Sequence, residues 1–110
     1  MLFSYLPLEI NIEKNIIMEF KNNELLRQFE CRCGERFVII EYSIQERKLF
    51  LTKLNPNGCD DEVLINNFIR TILDQTEEKR LRVVPVSSSI VAFFKKNPSY
   101  RELLAAGIKI

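Results

Sequence analysis

The chain has 110 residues, of which 46% are hydrophobic and 28% are charged, a composition typical of a single folded domain. Its 3 Gly, 4 Pro and 3 Cys exclude a collagen-like repeat, a disordered tail and a disulfide-dense miniprotein. The sequence contains no histidine, which excludes a Ser-His-Asp triad, a Cys-His dyad and a His-ligated zinc site.

The net charge of +1 argues against a dedicated nucleic-acid or membrane binder, which would normally carry a large basic excess. The charges are unevenly distributed: residues 1–78 hold 9 Lys/Arg and 14 Asp/Glu, whereas residues 79–110 hold 7 Lys/Arg and a single Glu. We interpret the basic segment as solvated positions that balance the acidic one, with binding of an anion as the alternative.

Residues 1–23 form an N-terminal extension whose secondary structure stays open. Apolar residues suit either an added strand or a helix; they are Ile10, Ile12, Ile16, Ile17, Met18 and Phe20. The first apolar run lacks a basic start and is broken at Pro7, so we expect no secretory signal. No apolar stretch reaches the length that spans a bilayer.

Three strands are predicted next, over residues 25–32, 35–44 and 47–54. The first two meet at Cys33-Gly34, and the third follows a short polar turn. Because both connections are short, the strands should form an antiparallel meander.

After Asn55-Pro56-Asn57-Gly58 the apolar spacing changes to every fourth residue, which predicts a helix over residues 60–79. A β-branched strand over residues 81–86 and helices over residues 88–96 and 99–106 should follow, the first of them capped by Ser87. The fold class is therefore α+β: a mixed sheet with an antiparallel N-terminal meander and helices packed on it. The predicted core positions are Leu64, Phe68, Ile72, Val84, Ile90, Phe93 and Phe94.

The three cysteines are predicted to be reduced, unmetallated and not catalytic. Cys31 and Cys33 share one strand face, but a structural zinc needs four ligands and usually C-x-x-C pairs. An odd cysteine count with no export signal favours a reducing compartment, so we expect a cytoplasmic protein with no metal.

Two motifs follow the predicted long helix. A strand reads Val83-Val84-Pro85-Val86-Ser87, and the next helix runs into Lys95-Lys96-Asn97-Pro98-Ser99-Tyr100. In spacing and residue type they resemble V-V-P-x-C and K-x-x-P-x-Y of the short, single-domain branch of the GNAT superfamily, the acetyl-CoA-dependent N-acetyltransferases. The resemblance covers about residues 24–106 and implies a GNAT-like domain over residues 24–110.

The chain departs from the family where the cofactor binds. In the family a loop of the type R-G-x-G-x-G opens the long helix and binds the pyrophosphate through backbone N–H groups. Asp60-Asp61-Glu62 stand there in this chain, and carboxylates would cap the helix and repel a phosphate. A catalytic base is also missing beside Thr52, where the family often has His and Glu.

Two hypotheses follow from this mixture of likeness and departure. The first is a GNAT-fold protein that has lost productive acetyl-CoA use and acts as a binding or structural module, with an unassigned protein or a small amine as its partner. The alternative is an active N-acetyltransferase for a small amine or a protein amine, with a rebuilt cofactor site and phosphate contacts from Lys79, Arg80, Lys95 or Lys96. If acyl-CoA binds, the resemblance implies contacts at the splay between the third and fourth strands, from Leu51, Thr52, Leu54, Ser87 and Lys95.

Overall fold

A computed structural model describes residues 4–11 and 16–110, and side chains from residue 18 onward. It contains a six-stranded sheet in which each strand pairs with the next along the chain. The elements are β1 (Ser4–Asn11), β2 (Ile16–Asn23), β3 (Gln28–Cys33), β4 (Arg36–Gln45), β5 (Lys48–Asn55), α1 (Glu62–Glu78), β6 (Arg82–Pro85), α2 (Ser88–Lys96) and a 3-10 helix (Pro98–Leu103). Strands β1 to β5 are antiparallel, and β6 is parallel to β5, so the α+β class is confirmed.

The N-terminal extension adds two strands to the sheet rather than a helix. β1 and β2 form an antiparallel pair, and β2 pairs with β3 through Phe20↔Cys31. Met18 and Phe20 are buried in the same core cluster as the rest of the chain, so β2 is continuous with the domain that follows. Ile12 lies outside the described residues.

The three-stranded meander is confirmed, with bounds one to three residues from those predicted. Alternate residues of β4, Val38, Ile40 and Tyr42, are buried, as expected for a strand with one face against the core. Glu46 and Arg47 connect β4 to β5 with positive φ angles of 52° and 63°, the sign that a type I′ hairpin turn has at both central positions.

Helices α1 and α2 pack on one face of this sheet and bury most of the predicted core. Phe68, Ile72, Ile90, Phe93 and Phe94 are at most 4% exposed, which confirms them as core residues. Leu64 is half-buried at the edge of the cluster.

Val84 was predicted as core and is half-buried instead, because β6 points Val83 into the core. A short strand with consecutive β-branched residues has no alternation to show which residue faces inward.

The last helical element is the 3-10 helix Pro98–Leu103, which is shorter than the predicted helix over residues 99–106. The residues after it return to β6, where the Ala105 N–H donates to the Val83 carbonyl at 2.9 Å. The C-terminal segment thus covers the outer edge of β6. None of the helices in residues 4–11 and 16–110 combines the length and the apolarity needed to cross a membrane.

Candidate ligand-binding cleft

A cleft of about 470 Å³ lies between the start of α1, the exposed side of α2 and the end of β5. Its floor is apolar and includes Leu54, Ile69 and Phe93. Asp60 and Glu62 line it from the α1 side, and Lys96 lines it from α2. The volume falls in the range of small-ligand sites, and apolar walls with a few polar groups are typical of them.

The cleft arises because β5 and β6 separate. Their parallel pairing ends at Leu51↔Pro85, after which the Val86 and Ser87 N–H groups both donate to the Leu51 carbonyl at 3.0 Å. The chain then enters α2, whereas β5 continues to Asn55. The resulting gap between β5 and α2 opens into the cleft.

A β-bulge in β5 lies at the same point. Tyr42 pairs with Leu51 and Glu41 pairs with Lys53, so Thr52 is an extra residue in β5. Thr52 is exposed, and its hydroxyl donates to the Glu41 carbonyl at 3.1 Å. The bulge is therefore closed by a hydrogen bond on the exposed surface.

The start of α1 carries negative charge. Asp61 is the N-cap, and its carboxylate accepts the Leu64 N–H at 3.0 Å. Asp60 precedes the cap and Glu62 lies in the first turn. This arrangement stabilises α1, since carboxylates satisfy free N–H groups and oppose the helix dipole.

The segment before α1 is joined to the sheet by a disulfide. Cys33 at the end of β3 is bonded to Cys59, with Cα atoms 6.1 Å apart and a sequence separation of 26. This corrects the prediction of three reduced thiols, and a reducing cytoplasm no longer follows from the cysteine count. The prediction failed because the tertiary fold, rather than any local spacing, brings the end of β3 beside the segment before α1.

Cys31 is the remaining thiol. It is fully buried, and its burial, with a smaller effect of Glu19, raises the pKa of the thiol to about 11. A thiol that stays protonated at neutral pH is a poor nucleophile and a poor metal ligand. Among the side chains that the structure describes, from residue 18 onward, no three of Cys, Asp or Glu are grouped as a metal ion would require.

Only some of the predicted site residues line the cleft. Leu54 lines it, while Leu51 is buried beneath the strand splay. Ser87 is the N-cap residue of α2 by position, but its side chain makes no capping hydrogen bond, which corrects its predicted capping role. Lys95 is exposed outside the cleft lining; the cationic side chain that lines the cleft from α2 is Lys96.

Lys79 and Arg80, the other predicted phosphate contacts, follow the C-terminal end of α1. The cleft lining on α1 ends at Ile69, ten residues before Lys79, so about 15 Å of helix separates Lys79 and Arg80 from the cleft.

Sequence reasoning missed several residues that shape the cleft. Ile65 and Ile69 are four apart on α1, and Ala92 on α2 lies four residues before Lys96, which the sequence had offered as a phosphate contact. Residues four apart lie on the same face of a helix, so this spacing on α1 and α2 was the feature of the sequence that could have indicated the two walls of the cleft.

Arg70 links α1 to two lining residues of the cleft, Phe93 and Asn97. Its guanidinium lies 5.7 Å from the centre of the Phe93 ring, and it donates to the Asn97 side-chain carbonyl at 3.3 Å. It therefore holds α1 against the end of α2.

Comparison of the chain with models of known protein families gives no match, and comparison with curated proteins gives none either. We therefore infer function from the chemistry of the cleft and from the motifs of residues 83–100.

Proposed function

We propose that the protein is a GNAT-like binding module that has lost productive use of acetyl-CoA and binds a ligand without a diphosphate in the cleft between α1 and α2. The main support for this proposal is the carboxylate cap at the start of α1. Where the family uses glycine N–H groups to bind pyrophosphate, the Asp61 carboxylate accepts the Leu64 N–H. The protein's own anion occupies the position of the cofactor's anion.

The electrostatics of the rim support the same proposal. A phosphate charge about 5 Å from Asp60 or Glu62 would be repelled by about 1 kcal/mol per charge pair even with the screening of bulk water. Lys96 is the cation on the opposite wall, and one lysine does not balance a diphosphate against two carboxylates. The same rim attracts a cation, so a small amine with an apolar body fits the charges and the floor of the cleft.

Acetyl-CoA titration followed by thermal unfolding tests the proposal. A cofactor site with a Kd of about 10 μM would stabilise the fold by about 2.7 kcal/mol at about 1 mM ligand. For a domain of this size that is a rise in melting temperature of roughly 10 °C. We expect a rise of at most about 2 °C, and we expect added salt to abolish it.

A charge-removal variant identifies the cause of weak binding. Asp60→Asn with Glu62→Gln removes two rim charges and leaves the Asp61 cap in place, so the rise in melting temperature with acetyl-CoA should exceed that of the wild type. A large, salt-resistant rise in the wild type would contradict the proposal.

The alternative function is an active N-acetyltransferase. One observation favours it: the cleft borders the splay of β5 and β6, where the resemblance implies that acyl-CoA binds. Release of free coenzyme A from acetyl-CoA in the presence of a primary amine would establish this activity. The matched control is Ala92→Trp, because Ala92 lines the cleft and is exposed, so a larger side chain fills the site without disturbing the core.

A further inference from the structure

The Cys33–Cys59 disulfide connects the sheet to the rim of the cleft. Cys59 lines the cleft, and the two residues after it are the acidic rim residue Asp60 and the helix cap Asp61. Cys33 is the last residue of β3. The bond therefore fixes the segment that carries both the rim charge and the start of α1.

Hydrogen bonds between this segment and the sheet are concentrated at Asn57. Its side-chain N–H donates to the Phe37 carbonyl at 2.6 Å, and its own carbonyl accepts from Arg36 at 3.2 Å. In the described part of the chain, the hydrogen bonds made by residues 58–61 all end within residues 56–65, as in Cys59 N–H to the Pro56 carbonyl at 2.9 Å. Between Asn57 and α1, the disulfide is thus the bond that ties the rim to the sheet.

The three cysteines differ in accessibility. Cys33 and Cys59 are both half-buried, and Cys59 borders the open cleft, whereas Cys31 is fully buried. A dissolved thiol can therefore reach the disulfide while the core around Cys31 stays closed. Susceptibility to exchange follows accessibility of the sulfur atoms.

We propose that the Cys33–Cys59 disulfide is a reversible redox switch that controls the mobility of the cleft rim, with a dithiol as its reductant. One thiolate of the dithiol attacks a sulfur of the disulfide, forms a mixed disulfide and releases the other cysteine as a thiolate. The second thiol of the reductant then displaces the remaining cysteine. Two electrons and two protons reach the protein, and the reductant leaves as a disulfide.

In the reduced form, residues 58–61 keep their local turn and the α1 cap but lose the bond to β3. The rim then moves relative to the sheet, and the opening of the cleft changes. This inference rests on the proposed function because it assigns regulation to the same cleft, but its test requires no cleft ligand.

The experiment reduces the full-length native protein with dithiothreitol, alkylates it and determines the mass, with amide hydrogen exchange measured before and after reduction. We expect two labels per chain, at Cys33 and Cys59, and none at Cys31. Exchange in peptides covering residues 57–65 should accelerate about tenfold, because the local opening free energy falls when an anchor is removed. Peptides from β6 serve as the internal control and should not change.

The double variant Cys33→Ser with Cys59→Ser should reproduce the fast exchange without reductant. Resistance of the bond to reduction in the native state, a third label at Cys31, or unchanged exchange in residues 57–65 after full reduction would each overturn the proposal. If the double variant does not fold, the reduced wild type decides the question. Acetyl-CoA binding is measured separately in both redox states, so failure of the switch is distinguishable from failure of the proposed function.

Discussion

The middle and the start of α1 are stabilised in different ways. Phe68 and Ile72, in the middle, are at most 1% exposed and belong to the core formed with the sheet. The start is exposed and held by single bonds, the Asp61 cap and the Cys59 disulfide. Packing in the middle of α1 is shared among many side chains, whereas each bond at its start depends on one residue. The middle therefore contributes most of the stability of α1, and the start carries the residues of the proposed function.

Truncation of the buried middle should have the largest effect. Phe68 is fully buried, and its ring contacts Phe20 edge-on at a centroid distance of 5.8 Å. We expect Phe68→Ala to lower the free energy of unfolding by about 3–5 kcal/mol through lost burial and the cavity left behind. Urea denaturation measures this loss. In the matched control Val63→Ala, at a position 65% exposed on the same helix, the change should stay within about 0.5 kcal/mol.

A loss below about 1 kcal/mol in Phe68→Ala would remove the contrast between the two regions. It would mean that the middle of α1 contributes no more to stability than its exposed start.

Features with a local signal could be predicted from the sequence. The alternation in β4 and the four-residue spacing of Phe68 and Ile72 depend on neighbours along the chain, and both the strand and the buried helix face are confirmed. Val84 was assigned to the wrong face because β6 is four residues long and both central residues are valines. Periodicity specifies a face only where apolar and polar residues alternate.

The candidate site was less predictable. Sequence reasoning placed negative charge at the start of α1, and Asp61 caps that helix. It offered Lys96 only as one of four phosphate contacts, and it did not predict the Cys33–Cys59 bond or the contribution of Ala92, because these depend on which loop and which helix face lie beside α1. Such contacts follow from the tertiary arrangement, which a single sequence does not encode in local spacing.

Glu30 in β3 is a buried charged residue of the sheet, and its contribution to stability can be compared with that of the two regions of α1. It is 9% exposed and next to Cys31, on the opposite strand face. Its carboxylate accepts from Gln28 at 2.6 Å and from Asn23 at 3.1 Å, and Lys21 lies 3.3 Å away. Burial alone would raise the pKa of Glu30, but these donors outweigh it and hold the pKa below its usual value of 4.5.

We expect Glu30→Gln to lower the free energy of unfolding by about 2 kcal/mol at pH 7, since hydrogen bonds to a charged group are lost. The folded-state pKa is lowered, so the stabilisation is present above about pH 4.5 and is lost as the pH falls below that value. The difference between wild type and variant in urea denaturation should therefore shrink from pH 5 to pH 3.

The control for this prediction is Glu19→Gln, which removes a surface ion pair with Arg32 at 3.1 Å and should cost at most about 1 kcal/mol. A pH-independent difference for Glu30→Gln would show that the charge of Glu30 does not contribute to stability.

The smallest expected effect on stability is at Asp61, where the comparison between the two regions becomes sharpest. Asp61→Ala removes the acceptor of the Leu64 N–H and should lower the free energy of unfolding by about 1 kcal/mol, far less than Phe68→Ala. Asp61→Asn keeps an oxygen acceptor without the charge and should retain most of that stability, whereas Asp60→Ala, outside the cap, should change it by less than about 0.5 kcal/mol. Equal losses in the Ala and Asn variants of Asp61 would assign its effect to charge rather than to capping.

The same two variants also test whether the Asp61 cap occupies the position of a bound phosphate. Because Asp61→Ala frees the first-turn N–H groups, acetyl-CoA should raise the melting temperature of this variant more than that of Asp61→Asn. The reverse order would contradict the inference that the cap occupies the phosphate position.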